Sequence, residues 1–193
     1  MDRRAFVAAS VVLLPGCAAM GLPASPPPER PSRASIRQFG LVGRLALRNG
    51  VESFVANIDW HHVADESERL LVMSPLGQGL AELGADRQGA WIDTADHKRY
   101  AAATVDDLSE QAFGARLPLS RLPSWVLGRT AGSQVDGMVL DNLGRPTSFV
   151  EAGWQVSYPS YESGARDALP LAIRLSRDPL DVRLKVDQWN LLP

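Results

Sequence analysis

The chain has 193 residues, 45% hydrophobic and 22% charged, with a formal net charge of −2. It is long enough for one domain with a substantial core and a tail. The near balance of charge leaves no basic stripe for nucleic acid, and the single cysteine excludes an internal disulfide.

The N-terminus accounts for that cysteine. Met1-Asp2-Arg3-Arg4 is a short basic start, and Ala5 to Leu14 is apolar or small throughout. A run of this length suits a signal h-region and is too short to span a bilayer as a helix. Leu14-Pro15-Gly16-Cys17 follows at once and resembles a lipobox. In a lipobox the peptidase cuts before the cysteine, and the thiol carries a diacylglycerol. Arg3-Arg4-Ala5-Phe6-Val7 also resembles a twin-arginine signal, so Sec and Tat export both stay open. Cleavage removes Asp2, Arg3 and Arg4 and leaves a net charge of −3. Under the enteric sorting rule, Asp after the cysteine retains a lipoprotein in the inner membrane. Ala18 therefore implies the outer membrane. Pro23 to Pro31 holds five prolines in nine residues, which favours an extended spacer and prevents helix. Ser32 to Gln38 has room for one helical turn.

Phe39 to Leu47 alternates apolar and polar residues as a half-buried strand does. Asn49-Gly50 is a hairpin signal, and Phe54, Ala56, Ile58 and Trp60 share a face after it. His61 to Glu68 reads as a polar loop. Leu70 to Met73 and Leu80 to Leu83 are strands flanking Ser74-Pro75-Leu76-Gly77-Gln78-Gly79. Proline and two glycines mark the turn between them. One large apolar side chain, Leu76, sits at that tip, where polar residues are usual. It is either folded back into the core or offered to an apolar partner. Ala90 to Asp93 and Tyr100 to Ala102 are further short strands.

The period then changes. Thr104 suits a helix N-cap, with Asp106 and Asp107 in the first turn and Val105, Leu108, Ala112 and Phe113 at helical spacing. Gly114 ends it. Ser120 is the expected cap of a second short helix holding Leu122, Trp125, Val126 and Leu127, with Pro123 in its first turn and Gly128 at its end. Strands resume at Met138 to Leu140, Thr147 to Glu151, and Trp154 to Tyr158. Two more follow around Leu171, Ile173 and Leu175 and around Val182, Leu184 and Val186. The fold expected is mostly β with a few short helices, about eleven antiparallel strands in all. Two short helices cannot cover so large an apolar face. The sheet must curl on itself as a barrel or half-barrel, with the helices plugging the opening, and its concave apolar interior suits a hydrophobic ligand.

Catalytic patterns are missing. His61, His62 and His97 read as solvated loop residues, and no Cys/His set suits a metal. No nucleophile elbow occurs. Gly77-Gln78-Gly79 with Gly84 precedes no helix, so it is no dinucleotide fingerprint. No enzyme activity, metal or cofactor is expected. The five tryptophans, Trp60, Trp91, Trp125, Trp154 and Trp189, suit a core or the wall of a cavity.

Several segments resemble the LolB family. They are Gly43-Arg44-Leu45-Ala46-Leu47, Trp60, Ser74-Pro75-Leu76-Gly77, Leu117-Pro118-Leu119 and Trp125-Val126-Leu127-Gly128. Gly153-Trp154-Gln155-Val156-Ser157-Tyr158, Leu169-Pro170 and Asp187-Gln188-Trp189 continue the set in order to residue 189. The family comprises outer-membrane lipoproteins that receive other lipoproteins from the periplasmic carrier LolA and insert them into the membrane. The resemblance implies an open barrel of eleven antiparallel strands, helices over its mouth and a cavity for acyl chains. It also implies an exposed Leu76, within Pro75-Leu76-Gly77, that promotes insertion of cargo. Phe54, Ile58, Trp60, Trp125, Trp154 and Val156 are the candidate lining. Residues 1–16 are then a signal peptide, 17–38 a lipidated N-terminus with its linker, and 39–193 the half-barrel. A monomer is expected, anchored through Cys17 in the periplasm-facing leaflet of the outer membrane. The alternative is a scaffolding lipoprotein with a solid core; a lipid-modifying hydrolase is poorer, for want of a catalytic set.

Overall fold

A computed structural model describes residues 31–113 and 117–191. The expected signal segment, Cys17 and most of the expected linker lie outside the described residues, as does Gly114. The described chain forms one eleven-stranded antiparallel sheet and two short α-helices. The strands are β1 (Gln38–Asn49), β2 (Glu52–Val63), β3 (Ser67–Met73), β4 (Gly79–Asp86), β5 (Gly89–Thr94) and β6 (Arg99–Ala102). After α1 (Val105–Phe113) and α2 (Leu122–Val126) come β7 (Val135–Leu140), β8 (Pro146–Glu151), β9 (Trp154–Tyr161), β10 (Pro170–Arg177) and β11 (Leu180–Asn190).

The spatial order is β6-β5-β4-β3-β2-β1-β11-β10-β9-β8-β7. The chain enters at the centre and walks outward by hairpins to β6. It crosses through the helical segment to the opposite edge at β7, then walks back to the centre. The two edges are joined by helices instead of by each other, so the sheet stays open. Tight turns enforce this meander. Asn49 pairs with Glu52 across Gly50-Val51, with Gly50 at φ +58°, the left-handed conformation that an Asn-Gly hairpin needs.

Two apolar clusters pack on the concave side. The larger joins Phe39, Leu41, Ile58 and Trp60 to Phe149, Trp154, Val156, Ile173 and Val186, with Trp125, Val126 and Leu127 of the α2 segment. Phe39 packs edge-on to Trp60 at 5.2 Å and to Trp189 at 5.6 Å between ring centres. The smaller cluster seats Leu108 of α1 on Ala90 and Ile92. Thr104 caps α1 as expected: its Oγ1 accepts the Asp107 N–H at 3.1 Å.

The structure corrects two local expectations. His61 to Glu68 is not a loop; β2 runs to Val63, β3 starts at Ser67, and only three residues turn. The register sets His62 against Phe39 and Glu68. Its ring lies 5.0 Å from that of Phe39 and its Nδ1 2.5 Å from the Glu68 carboxylate, so it is largely buried where solvent was expected. The composition is that of a loop, but the segment is strand because both β2 and β3 pair with neighbours along it. Ser120 likewise caps nothing. It lies in a 3₁₀ turn, Leu119–Arg121, and its N–H and Oγ both donate to Asp106, each at 2.9 Å. Asp106 thereby ties α1 to the segment leading into α2.

Trp91 follows neither reading of the tryptophans. It pairs with Gly84 across β4 and β5. Any Cβ at Gly84 would fall 2.2 Å from the indole, so glycine is the residue that lets the ring lie over the strand.

Candidate functional site

Between the curled sheet and the helical segment lies a cavity of about 510 Å³. Its wall is built by β1 to β5, β9 to β11 and the α2 region. Phe54, Ile58, Trp60, Trp125 and Trp154 lie on this wall. Val156 does not: it is fully buried in the larger cluster and absent from the wall. Alternation places Val156 on the concave face, but neighbours fill the space over it. The sequence reading left out Leu70, Val72, Leu80 and Leu83 on the wall, together with Leu117 and Leu119. The signal for Leu70 and Val72 was available, since alternate positions of one strand share a face.

Every residue on the wall is apolar by type, and the indole nitrogens are mostly occupied elsewhere. Trp60 Nε1 donates to Glu68 at 2.7 Å and Trp125 Nε1 to Glu151 at 2.7 Å. Trp154 Nε1 is buried without a hydrogen-bond partner, and the Arg177 guanidinium sits 5.0 Å from its ring centre. A cavity without polar anchors selects by shape and apolarity, which suits hydrocarbon better than a polar metabolite.

Glu151 holds the cover in place. It ends β8, is 2% exposed, and no pattern in the sequence singles it out. Its carboxylate accepts from Trp125 Nε1, from Arg121 Nη1 at 2.8 Å and from the Ala131 N–H at 3.0 Å. Three donors on one buried carboxylate fasten the helical segment to the sheet. Tyr158 adds a bond from its hydroxyl to the Trp125 carbonyl at 2.8 Å. Burial pushes the phenols of Tyr158 and Tyr161 up, that of Tyr161 to about 12. Among the described residues, no three His, Cys, Asp or Glu converge to hold a metal ion.

The loop after β3 is built to present its tip. The Gly77 N–H donates to the Ser74 carbonyl at 2.9 Å, and the Ser74 N–H to the Gln78 carbonyl at 2.7 Å. The Gln78 N–H reaches the Ser74 Oγ at 3.2 Å. Pro75 supplies the fixed φ of a turn position, and Gly77 takes φ +85°. The loop thus satisfies its own polar groups, and Leu76 is left 90% exposed. Register puts this tip at the same end of the sheet as Val51, which is also fully exposed. The described N-terminus, pairing at Gln38 with Val63, lies at the opposite end.

Residues 37–189 match the sequence profile described as outer membrane lipoprotein LolB. The chain belongs to the LolB family. An outer-membrane lipoprotein LolB from Dechloromonas aromatica is 37% identical over 190 residues, covering 95% of both chains. One from Azoarcus is 36% identical over 171 residues, covering 86% of this chain and 87% of that one. The fold also resembles a crystal structure from Vibrio parahaemolyticus, provisionally described as an outer-membrane lipoprotein-sorting protein domain. The TM-score is 0.52 at 9% identity, over 80% of this chain and 85% of that one. At that identity the likeness is one of fold. Membership in LolB makes this chain an outer-membrane lipoprotein of a lipoprotein-transport family.

Proposed function

We propose that the protein accepts acylated lipoproteins from the periplasmic carrier LolA into its apolar cavity and inserts them into the outer membrane. It stands in the periplasm-facing leaflet, anchored through lipidated Cys17 at the end of the 17–38 segment. The observation that carries this reading is the cavity of about 510 Å³ with an all-apolar wall. A solid-core scaffold has no use for such a void.

The energetics demand a shielded path. Three acyl chains contain roughly 45 methylenes, and exposing them to water costs on the order of 35 kcal/mol as an upper bound. Free diffusion is excluded, so cargo passes from one apolar chamber to the next. The periplasm supplies no ATP, and transfer runs down an affinity gradient, each ~1.4 kcal/mol favouring the acceptor tenfold. A methylene occupies about as much space as a water in the liquid, on the order of 30 Å³. The cavity therefore encloses roughly one acyl chain as it stands, and the helical cover yields to admit more. Leu76 then enters the bilayer interface, where burying one leucine is worth roughly 1.5–3 kcal/mol.

The test mixes the protein with a LolA–lipoprotein complex and follows the cargo, first to the protein and then into liposomes. Leu76→Glu is expected to accept cargo and fail to release it into lipid. Because Leu76 is 90% exposed, its folding stability stays within about 0.5 kcal/mol of the parent. Full liposome incorporation by Leu76→Glu refutes the role of the tip; absence of any transfer from the carrier refutes the reading as a whole.

A further inference from the structure

The convex face of the sheet carries a second hollow, on the side away from the apolar cavity. It has a volume of about 520 Å³ and lies over β1, β11 and β10. Register places Arg44 opposite Lys185 and Arg183 opposite Arg174. Lys185 and Arg183 are two apart on β11, so the four cations share one face and occupy adjacent rows. Neighbouring strands are about 4.8 Å apart and alternate residues about 7 Å, which packs the four charges into a patch little wider than 10 Å. Ala46 and Ala172 complete the two rows. Their small side chains leave the space that the longer cations surround.

Like charges directly opposite each other in a sheet repel. Two acidic residues relieve part of this. Asp187 takes both Arg44 Nη2 at 2.7 Å and Arg44 Nε at 3.0 Å, which holds its carboxyl below the usual range. Asp181 takes Arg183 Nε at 2.7 Å. Four cations against two anions leave the hollow positive, in a chain whose overall charge is negative. The site is open to solvent: the side chains of Arg44 and Arg183 are 56% and 55% exposed.

The position of the hollow decides its occupant. Pro75, the residue before Leu76, forms part of its rim, and so does Val55, which is 58% exposed. An apolar tip and a cationic hollow therefore share one border. A lipid interface has the same order, with phosphates lying just outside the acyl region. We propose that this convex hollow binds the phosphates of anionic phospholipids, docking the protein on the membrane surface while Leu76 enters the acyl region beside it. Leu76 alone, at the end of a hairpin, fixes no orientation. A second, electrostatic contact on the convex face would set the cavity at a defined angle to the bilayer.

The assay contains no cargo and no carrier, so its outcome is separate from that of the transfer reading. The full mature chain with Cys17→Ala is sedimented with vesicles of phosphatidylcholine alone, or of phosphatidylcholine and phosphatidylglycerol in equal parts. The anionic vesicles are expected to bind more tightly, and the preference to vanish in salt of about 1 M, where charges are screened beyond roughly 3 Å. The double variant Arg174→Gln, Lys185→Gln should lose roughly 30-fold in affinity for the anionic vesicles and nothing for the neutral ones. Ala46→Glu, which places a carboxylate in the hollow without removing a cation, should do the same. Leu76→Gln, which removes the apolar tip without adding charge, should weaken both kinds of vesicle alike. Parental binding by both hollow variants overturns the proposal, as does a phosphatidylglycerol preference that survives high salt. Polyglutamate binding tightly to the hollow without any vesicle preference also overturns it, and assigns the patch to an acidic protein instead.

Discussion

Removing the Glu151 carboxylate tests how the cavity keeps its cover. In Glu151→Ala, the buried donor Trp125 Nε1 and the part-buried Ala131 N–H lose their acceptor. An orphaned buried donor costs about 1–3 kcal/mol. Arg121, whose side chain is 36% exposed, turns to water and adds little. The expected loss is about 2–4 kcal/mol, most of it from the orphaned indole N–H and a smaller share from the solvent-accessible Ala131 N–H. A domain of this size has about 5–15 kcal/mol in all, so the variant survives but is visibly weakened. Arg121→Met is expected to cost more, about 3–5 kcal/mol, because it leaves a 1%-exposed carboxylate with only neutral donors. Urea unfolding followed by tryptophan fluorescence measures both, and Trp125 reports directly on the site. Below the transition, an apolar dye should bind Glu151→Ala more than the parent, because the helical segment loosens over the cavity first. A stability change under about 1 kcal/mol, with no change in dye binding, would show that the cover is held by packing alone.

Three further outcomes are expected. Ala81 lies on the cavity wall, so Ala81→Phe should lower binding of an apolar fluorescent probe about tenfold; its stability should change by less than ~1.5 kcal/mol if the ring fills empty space, and calorimetry with dye titration reads both. Leu76 and the described N-terminus lie at opposite ends of β1 and β2, roughly 30 Å apart at about 3.3 Å per residue, and a polyproline segment as long as 18–30 would span about 40 Å at ~3.1 Å per residue. Deleting residues 24–29 should therefore leave carrier transfer intact and block release into the membrane that holds the anchor, as measured by insertion in proteoliposomes; unimpaired insertion refutes the geometry. Burial raises the Tyr161 phenol to about 12 and that of Tyr158 as well, so the folded state holds these protons when the unfolded chain has released them. Their contribution to stability is complete below pH ~10, the ordinary phenol value, and falls as pH rises toward 12. Urea midpoints measured across that range check the sign.

Much of this architecture was legible in the residues. Alternation along Phe54, Ala56, Ile58 and Trp60, the Asn49-Gly50 turn, and the switch to helical spacing after Thr104 are local properties. They act between neighbours a few positions apart, so a reader of the chain alone recovers strands, turns and an antiparallel sheet that must curl. The Leu76 tip belongs with them, since Pro75 and Gly77 dictate its turn. Tertiary structure decided the rest. Val156 and Ile58 have the same pattern, yet one is packed over and the other lines the void, because curvature and the helical cover set how much space each meets. Glu151 looks like an ordinary strand-end charge until Arg121 and Trp125 arrive from 30 and 26 residues away. The convex cations come from β1, β10 and β11, and only the pairing of the first strand with the last gathers them into one patch. Local chemistry chooses each element; which side chains meet across long stretches of chain is settled by the pairing order and curl of the whole sheet.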